Sequence, residues 1–359
     1  MLPDLPPELW EDIILSIPRS DLHSVTLVSK WFCQVAQPLL FAWQRVTVTQ
    51  WRKDNERTLG RLKFLSTATN IASKGVRKLS IDTGNYDLLA DFTPNFEVPL
   101  EDILLKTGLE MIPLFVNLRT FCGYELKLTP NHIQHLHSLP NLNVLILYSC
   151  SISYTEDSDS HHSPLLNGQD TTLSSPPPPL PTQPFSGSLH RFEFLNVGET
   201  PSSHPAWWAS FLSPSQTDFL RFFHDQDSDQ MMNILSDPQS PSMKSLHTIK
   251  LRGIKTTSEI QFISALSHCP SLRCLDILDT SWKPSVDILE DELSKTPDAA
   301  PHLEDMIGLY RVVRPFVRYR NLRAVELISK NTTGSWYRTQ ILNPRESELF
   351  SSSKLSFLD

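Results

Sequence analysis

The stretch LHTIKLRGIKTTSEIQFISALSHCPSLRCLDIL, residues 246–278, reads as strand, helix, strand. Apolar residues fall at Leu246, Ile249 and Leu251, and again at Leu272, Leu275 and Ile277. Both triplets follow the pattern apolar-x-x-apolar-x-apolar, whose last two apolar positions share one face of a strand. Between them Thr257-Ser258-Glu259 offers a helix start, and Ile260, Ile263 and Leu266 recur at three-residue spacing. His268-Cys269-Pro270-Ser271 ends the helix, because proline cannot continue it.

The same cassette occurs at Val76/Leu79/Ile81, Leu142/Leu145/Leu147, Leu189/Phe192/Phe194 and Leu322/Val325/Leu327. Partial copies start at Leu118 and Leu220. Leu118 to Leu142 is 24 residues, and Leu220 to Leu246 and Leu246 to Leu272 are 26 each. Leu272 to Leu322 is 50, about two periods, with a missing or helical unit between. Residues 131–147, NHIQHLHSLPNLNVLIL, repeat the order helix, proline break, strand. Such units bury their apolar faces on their neighbours.

This cassette is similar to the strand signature of leucine-rich repeats, whose periods run about 20–29 residues. The resemblance implies an α/β fold with an irregular leucine-rich-repeat-like solenoid over residues 76–350. An ordinary α/β domain whose strands begin with leucine is the alternative.

Ahead of the cassettes lies Leu5–Phe41, LPPELWEDIILSIPRSDLHSVTLVSKWFCQVAQPLLF. Pro6 and Pro7 suit a first helical turn, and Glu8, Glu11 and Asp12 place negative charge near that positive helix end. Leu9, Ile13 and Ile17 make an apolar stripe, widened by Ile14, and Pro18 closes the helix. Ser20 or Asp21 caps a second helix carrying Leu22 and Val25. A third begins near Ser29, presents Phe32, Val35 and Ala36, and is expected to end at Pro38. About forty residues bury too little surface to fold unaided, so these helices must pack on a partner, on the rest of the chain, or on both.

Leu5-Pro6-x-Glu8-Leu9, Ile13, Asp21-Leu22 and Val28-Ser29-Lys30-x-Phe32 resemble the F-box in order and spacing. The resemblance implies a three-helix module over residues 1–42 that docks the Skp adaptor of cullin–RING ubiquitin ligases. Leu5, Pro6, Leu9, Ile13, Leu22, Val25, Val28 and Phe32 fall on matching positions, as adaptor contacts or as the motif's own core. Ile17-Pro18 departs from the family's usual leucine and non-proline. The function implied is a non-catalytic substrate receptor of an SCF-type ligase, with the repeats holding an unknown protein substrate. The rival role is a scaffold that binds the adaptor without ubiquitylation.

Residues 43–75 form a connector. AWQRVTVTQW supplies a short strand through Val46 and Val48, and Glu56–Ser73 reads as helix with Leu59, Leu62 and Leu65 on one side. Residues 151–188 interrupt the array with Glu156-Asp157-Ser158-Asp159-Ser160 and a Pro176–Pro179 run, a composition expected to stay disordered. It is a spacer or a polyproline ligand, with Ser163-Pro164 and Ser175-Pro176 as candidate phosphorylation sites. Residues 351–359 read as a tail.

The chain has 359 residues and a formal net charge of -8, which argues against a nucleic-acid partner. Five scattered cysteines without a C-x-x-C pair fit reduced thiols in cytoplasm or nucleus. MLPDLPPE is not patterned as a signal peptide, no apolar run suits a membrane span, and the Asn331-Thr332-Thr333 sequon would then be idle.

No nucleophile, phosphate-loop or dinucleotide motif is present, so no catalytic residue and no cofactor is expected. His132, His135 and His137 cluster without further ligands, which points to a helix face rather than a metal site. Two substrate-binding candidates remain. Trp207 and Trp208 are either interface anchors or core beneath a loop. Arg311, Arg314 and Arg318, at i, i+3 and i+7, are either a solvated face or a grip for a phosphate or acidic peptide.

Overall fold

In a computed structural model of the chain, residues 7–67, 71–83, 100–152, 185, 187, 189–195, 207–278, 282–330, 336–342 and 344 are described. The fold is mixed α/β with mostly parallel strands and eleven helices among these residues. The chain divides into two compact units, one of Met1–Asn143 with Cys150–Gly187, the other of Val144–Ser149 with Ser188–Asp359.

The first unit opens with helices α1 (Pro7–Ser16), α2 (Arg19–Thr26) and α3 (Lys30–Phe41). Pro18 separates α1 from α2 as expected, but it also occupies the cap position of α2, and neither Ser20 nor Asp21 caps that helix. Ser29 caps α3, its hydroxyl accepting from Phe32 N–H at 3.2 Å. Contrary to expectation, α3 continues through Pro38 for one further turn. Proline costs one internal hydrogen bond. Val35, Leu39 and Leu40 pack against the core on either side of it and hold that turn. The core of the three helices is Ile14, Leu22, Phe32 and Ala36.

Strand β1 (Trp43–Thr47) then leads to α4 (Arg52–Leu65), α5 (Ile71–Gly75), β2 (Lys78–Asp82), α6 (Leu100–Glu110) and β3 (Thr120–Tyr124). The single helix expected over Glu56–Ser73 is thus two: α4 starts earlier and ends at Leu65. Leu59, Leu62 and Leu65 do face inward. β1, β2 and β3 pair in parallel, with Val46 beside Ile81 and Ile81 beside Gly123. Gly108 of α6 lies where an added Cβ would come 3.4 Å from Ile81 and 3.6 Å from Val46, so the helix sits close on the strands. Strand β4 (Lys127–Leu128) and α7 (Pro130–His137) follow. Strand β5 (Val144–Tyr148) belongs to the second unit, and β6 (Ser151–Ile152) pairs in parallel with β4.

The second unit continues with β7 (Arg191–Leu195), a 3-10 turn at Trp207–Phe211, β8 (Phe219–Phe222), α8 (Asp225–Ser236), β9 (Thr248–Arg252), α9 (Glu259–Ser267) and β10 (Cys274–Leu278). It ends with α10 (Val286–Lys295), β11 (Asp305–Gly308), α11 (Tyr310–Tyr319), β12 (Ala324–Lys330) and β13 (Trp336–Leu342). The strands from β5 and β7 through β12 lie side by side in chain order, all parallel, and β13 closes the edge antiparallel to β12. Strands laid down in one direction with right-handed crossovers put α8 to α11 on one face of the sheet. Among the described residues, the other face carries no helix.

Each cassette supplies an inward column. Leu145, Phe192, Leu220, Ile249, Leu275, Met306 and Val325 stand in register across the unit and are all buried. This register corrects two expectations. The partial copy at Leu220 is frame-shifted: Leu220 is the second apolar position, Phe222 the third, and Thr217 takes the first. Thr217 is fully buried and its hydroxyl donates to the Leu189 carbonyl at 3.0 Å. The unit thought missing before Leu322 exists as Leu303-x-x-Met306-x-Gly308, carried by β11.

The units also share their hydrogen bonds. The first apolar residue closes a turn by donating to the carbonyl three residues back, as in Val76→Ser73, Leu118→Phe115, Leu246→Met243, Leu272→Cys269 and Leu303→Ala300. The next residue's carbonyl then accepts from two successive N–H groups of the following strand, as Arg77, His190, Asp218, His247, Arg273 and Glu304 all do. Helix α9 carries a reciprocal cap between Ser258 and Gln261. Its buried face is Phe262, Ile263, Ala265 and Leu266, whereas Ile260, expected in that stripe, is exposed.

Candidate functional site

The helix-free face of the second unit carries the alternate residues of its strands. Ile146, Glu193, Arg221, Lys250, Asp276, Ile307 and Glu326 form one column, each beside the next. Four neighbours in it are charged. Glu193 and Asp276 have side chains only 4% and 3% exposed, so each carboxylate needs a partner to offset its lost hydration. Glu193 binds Arg191 through Oε1 and Arg221 through Oε2, the latter at 3.4 Å. Asp276 binds Lys250 through Oδ2.

These groups border a depression of about 430 Å³, lined by Arg191, Arg221, Lys250, Arg252 and Arg338 together with Phe219, Phe223, Leu278 and Ile307. The rings hold the guanidinium groups in place: Arg191 lies 4.5 Å over Phe219, and Arg252 and Arg221 lie 4.2 and 5.6 Å from Phe223. Arg338 pairs with Glu326 at 3.1 Å. Arg221 and Lys250 sit side by side on adjacent strands, and the flanking carboxylates Glu193 and Asp276 offset the repulsion between these like charges.

Cys274 stands on this face two residues before Asp276. Its thiol is pushed up to about 12, first by burial and then by the Asp276 carboxylate, against the opposing pull of Lys250. Behind the sheet, Asp229 of α8 shapes the loop that follows Arg252. It accepts from the backbone N–H groups of Lys255, Thr256 and Thr257 and from both threonine hydroxyls, at 2.6–3.2 Å. Burial alone would raise its pKa; these hydrogen bonds outweigh burial and hold it below the usual carboxylate value.

A second surface lies on the three-helix segment of the first unit. Leu9, Ile13 and Val28 are 48%, 41% and 66% exposed, and Leu15, Leu27 and Trp31 are exposed with them. Leu22 and Phe32 are instead buried, and Val25 packs against them. Trp10 joins α1 to α3, its ring 6.3 Å from Trp31 and 5.4 Å from Phe32, both edge-on. The structure thus sorts the residues expected at this site into exposed Leu9, Ile13 and Val28 and core Leu22, Val25 and Phe32. Leu5 and Pro6 lie outside the described residues.

The other candidates fare differently. Trp207 and Trp208 are 2% and 1% exposed and offer no surface. Trp208 packs on Phe222 at 4.6 Å, and Trp207 meets Phe194 and Phe211 edge-on. Arg314 and Arg318 both face Glu290 of α10, at 4.0 and 2.7 Å, so that arginine face is partly neutralised. Arg311 sits half-buried on the same helix. Arg320 is structural: its guanidinium donates to the carbonyls of Ala299, Tyr319 and Thr296.

His132 belongs to a helix cap, its Nδ1 3.1 Å from Thr129 N–H, with its pKa lowered by burial and by His135 against the pull of Glu110. Among the described residues no group of three or more His, Cys, Asp or Glu is placed to hold a metal ion, and no helix is long and apolar enough to cross a membrane. The sequon, the Ser/Pro-rich insert's phosphorylation sites and proline run, and the tail lie outside the described residues.

The cationic depression escaped sequence reasoning because its five cations come from four strands and are brought together only by the register. One signal was available: the residue between the last two apolar positions of successive cassettes is charged at Glu193, Lys250 and Asp276. Compared with protein-family models and with curated proteins, this chain matches none.

Proposed function

We propose that the chain is a substrate receptor of an SCF-type ubiquitin ligase, an F-box protein whose first three helices dock the Skp adaptor and whose leucine-rich-repeat-like array holds a protein substrate. One observation carries the reading. The three helices fill their own core with Ile14, Leu22, Phe32 and Ala36, yet leave Leu9, Ile13, Leu27, Val28 and Trp31 exposed. So many large apolar side chains on a short segment suit a partner surface. The order of the motif residues names the partner, and the recurring cassettes in register support the repeat reading. On this reading the protein does no bond chemistry. It raises the effective concentration of a substrate lysine near ubiquitin carried by another subunit.

The test is co-precipitation of the full chain with the adaptor and a cullin, using Leu9→Asp combined with Ile13→Asp. Each leucine- or isoleucine-sized group buried at an interface contributes about 1.5–3 kcal/mol, so the double variant should lose adaptor binding by a factor of roughly 100 or more. Unchanged adaptor binding would sink the proposal. Capture of the adaptor without the cullin would favour a scaffold over a ligase subunit.

A further inference from the structure

We propose that helix α7 is a pH-sensitive catch: it is closed while the His132 imidazole is neutral, and protonation loosens it together with the seat it gives to Phe185 and Gly187. The inference stands apart from the adaptor reading.

The geometry begins at the helix start. The Thr129 hydroxyl accepts from the His132 N–H at 3.4 Å, and the Thr129 N–H donates back to His132 Nδ1 at 3.1 Å. Glutamate or glutamine ordinarily fills the place of His132 in such a reciprocal cap, as Gln261 does in α9. An imidazole fills it only in the tautomer that leaves Nδ1 bare, so a proton on that nitrogen ends the bond. The Thr129 hydroxyl, also 3.1 Å from Nδ1, can accept from the new N–H, but the Thr129 backbone N–H then loses its acceptor. The added charge also stands in the first turn, at the positive end of the helix. His135 lies one turn on, its Nδ1 buried without a hydrogen-bond partner. Of the neighbouring elements, the 3-10 turn at Ile112–Leu114 brings no titratable side chain, and α6 brings Glu110. Glu110 favours the proton on His132, but burial and His135 outweigh it and hold the pKa below 6.5. The contribution of His132 to stability is therefore complete above pH 6.5 and is lost as pH falls through the lower folded value. With eight residues, α7 is too short to persist without its cap and its packing. Its far end holds the rest: His137, 6% exposed, meets Phe185 edge-on at 5.3 Å. Gly187 lies so close that an added Cβ would stand 2.8 Å from the Leu139 carbonyl oxygen.

The experiment is hydrogen exchange of the full chain read by mass spectrometry, in steps from about pH 7.5 to about pH 5.0, with rates corrected for the intrinsic effect of pH. Peptides covering α7, and those carrying Phe185 and Gly187, should lose protection by roughly fivefold or more on acidification, the scale of a lost helix cap. Helix α9, whose cap uses Gln261, should not change. His132→Gln keeps a cap partner without a titrating group and should abolish the loss. His135→Gln removes a charge that opposes protonation of His132, so the loss should begin at higher pH. Circular dichroism at neutral pH checks that both variants fold; should His132→Gln fail, the onset in His135→Gln decides. Equal protection across the pH range, a loss shared with α9, the same loss in folded His132→Gln, or an unmoved onset in His135→Gln would overturn the proposal.

Discussion

Replacing Asp229 with asparagine should cost about 3 kcal/mol, and the structure shows why. Oδ2 accepts from the N–H and hydroxyl of Thr256, Oδ1 accepts from those of Thr257, and the Lys255 N–H is shared between them. An amide keeps only one of these oxygens. Whichever is lost strands a buried N–H, at about 1–3 kcal/mol. The surviving bonds lose their charge assistance, roughly another 1 kcal/mol. For a protein of this size each kcal/mol moves the melting midpoint by about 1–2 °C, so a fall of about 3–6 °C is expected. The sign with pH is equally definite. Asp229 is held below its unfolded value of 3.8, so its stabilisation is complete above that pH and drains away as pH falls through the folded value. Urea denaturation of both proteins at pH 7, and again at steps below about pH 4, reads both effects. The gap should be widest at pH 7 and narrow in acid. A gap under about 0.5 kcal/mol at pH 7, or one that stays constant into acid, would refute the account.

Two further substitutions test the packing. Trp208→Ala empties a fully buried site against Phe222 and Phe192 and should cost about 3–5 kcal/mol in urea denaturation; a loss below about 1 kcal/mol would mean the side chain is not core. Gly75→Ala places a Cβ 2.6 Å from the Pro38 Cα and 2.8 Å from its carbonyl oxygen. Because backbone must shift, a loss of about 1–3 kcal/mol in thermal melting is expected, and an unchanged midpoint would show that the α3–α5 contact is looser than described.

Much of the fold was legible because the cassette couples a period-2 apolar pattern to a turn, and both are local. Leu246, Ile249 and Leu251 announce their strand unaided. Reading failed where another residue type filled an apolar position: Thr217 is buried through a hydroxyl that finds a carbonyl, and Gly308 ends a cassette with no side chain at all. It failed again at Pro38, where tertiary packing overrides the residue's local preference. The division of the front residues into exposed Leu9, Ile13 and Val28 and buried Leu22 and Phe32 needed the angles between three short helices, which no periodicity supplies. The cationic depression was the least legible, since Arg221, Lys250 and Arg252 meet Arg338 from far along the chain only once the strands are aligned.

The shared carbonyl that follows each cassette's first apolar residue has a consequence for how such a chain can vary. Leu272 to Leu303 is 31 residues and Leu303 to Leu322 only 19, yet Arg273 and Glu304 accept the same two bonds from the next strand. The ladder is reset at every turn, so it does not measure the length between turns. Additions and deletions on the helical side can accumulate without shifting a single strand. The open face, with its row of charges, is thereby insulated from them: it can be conserved in geometry while the opposite side drifts, or be rewritten residue by residue while the scaffold stays as it is.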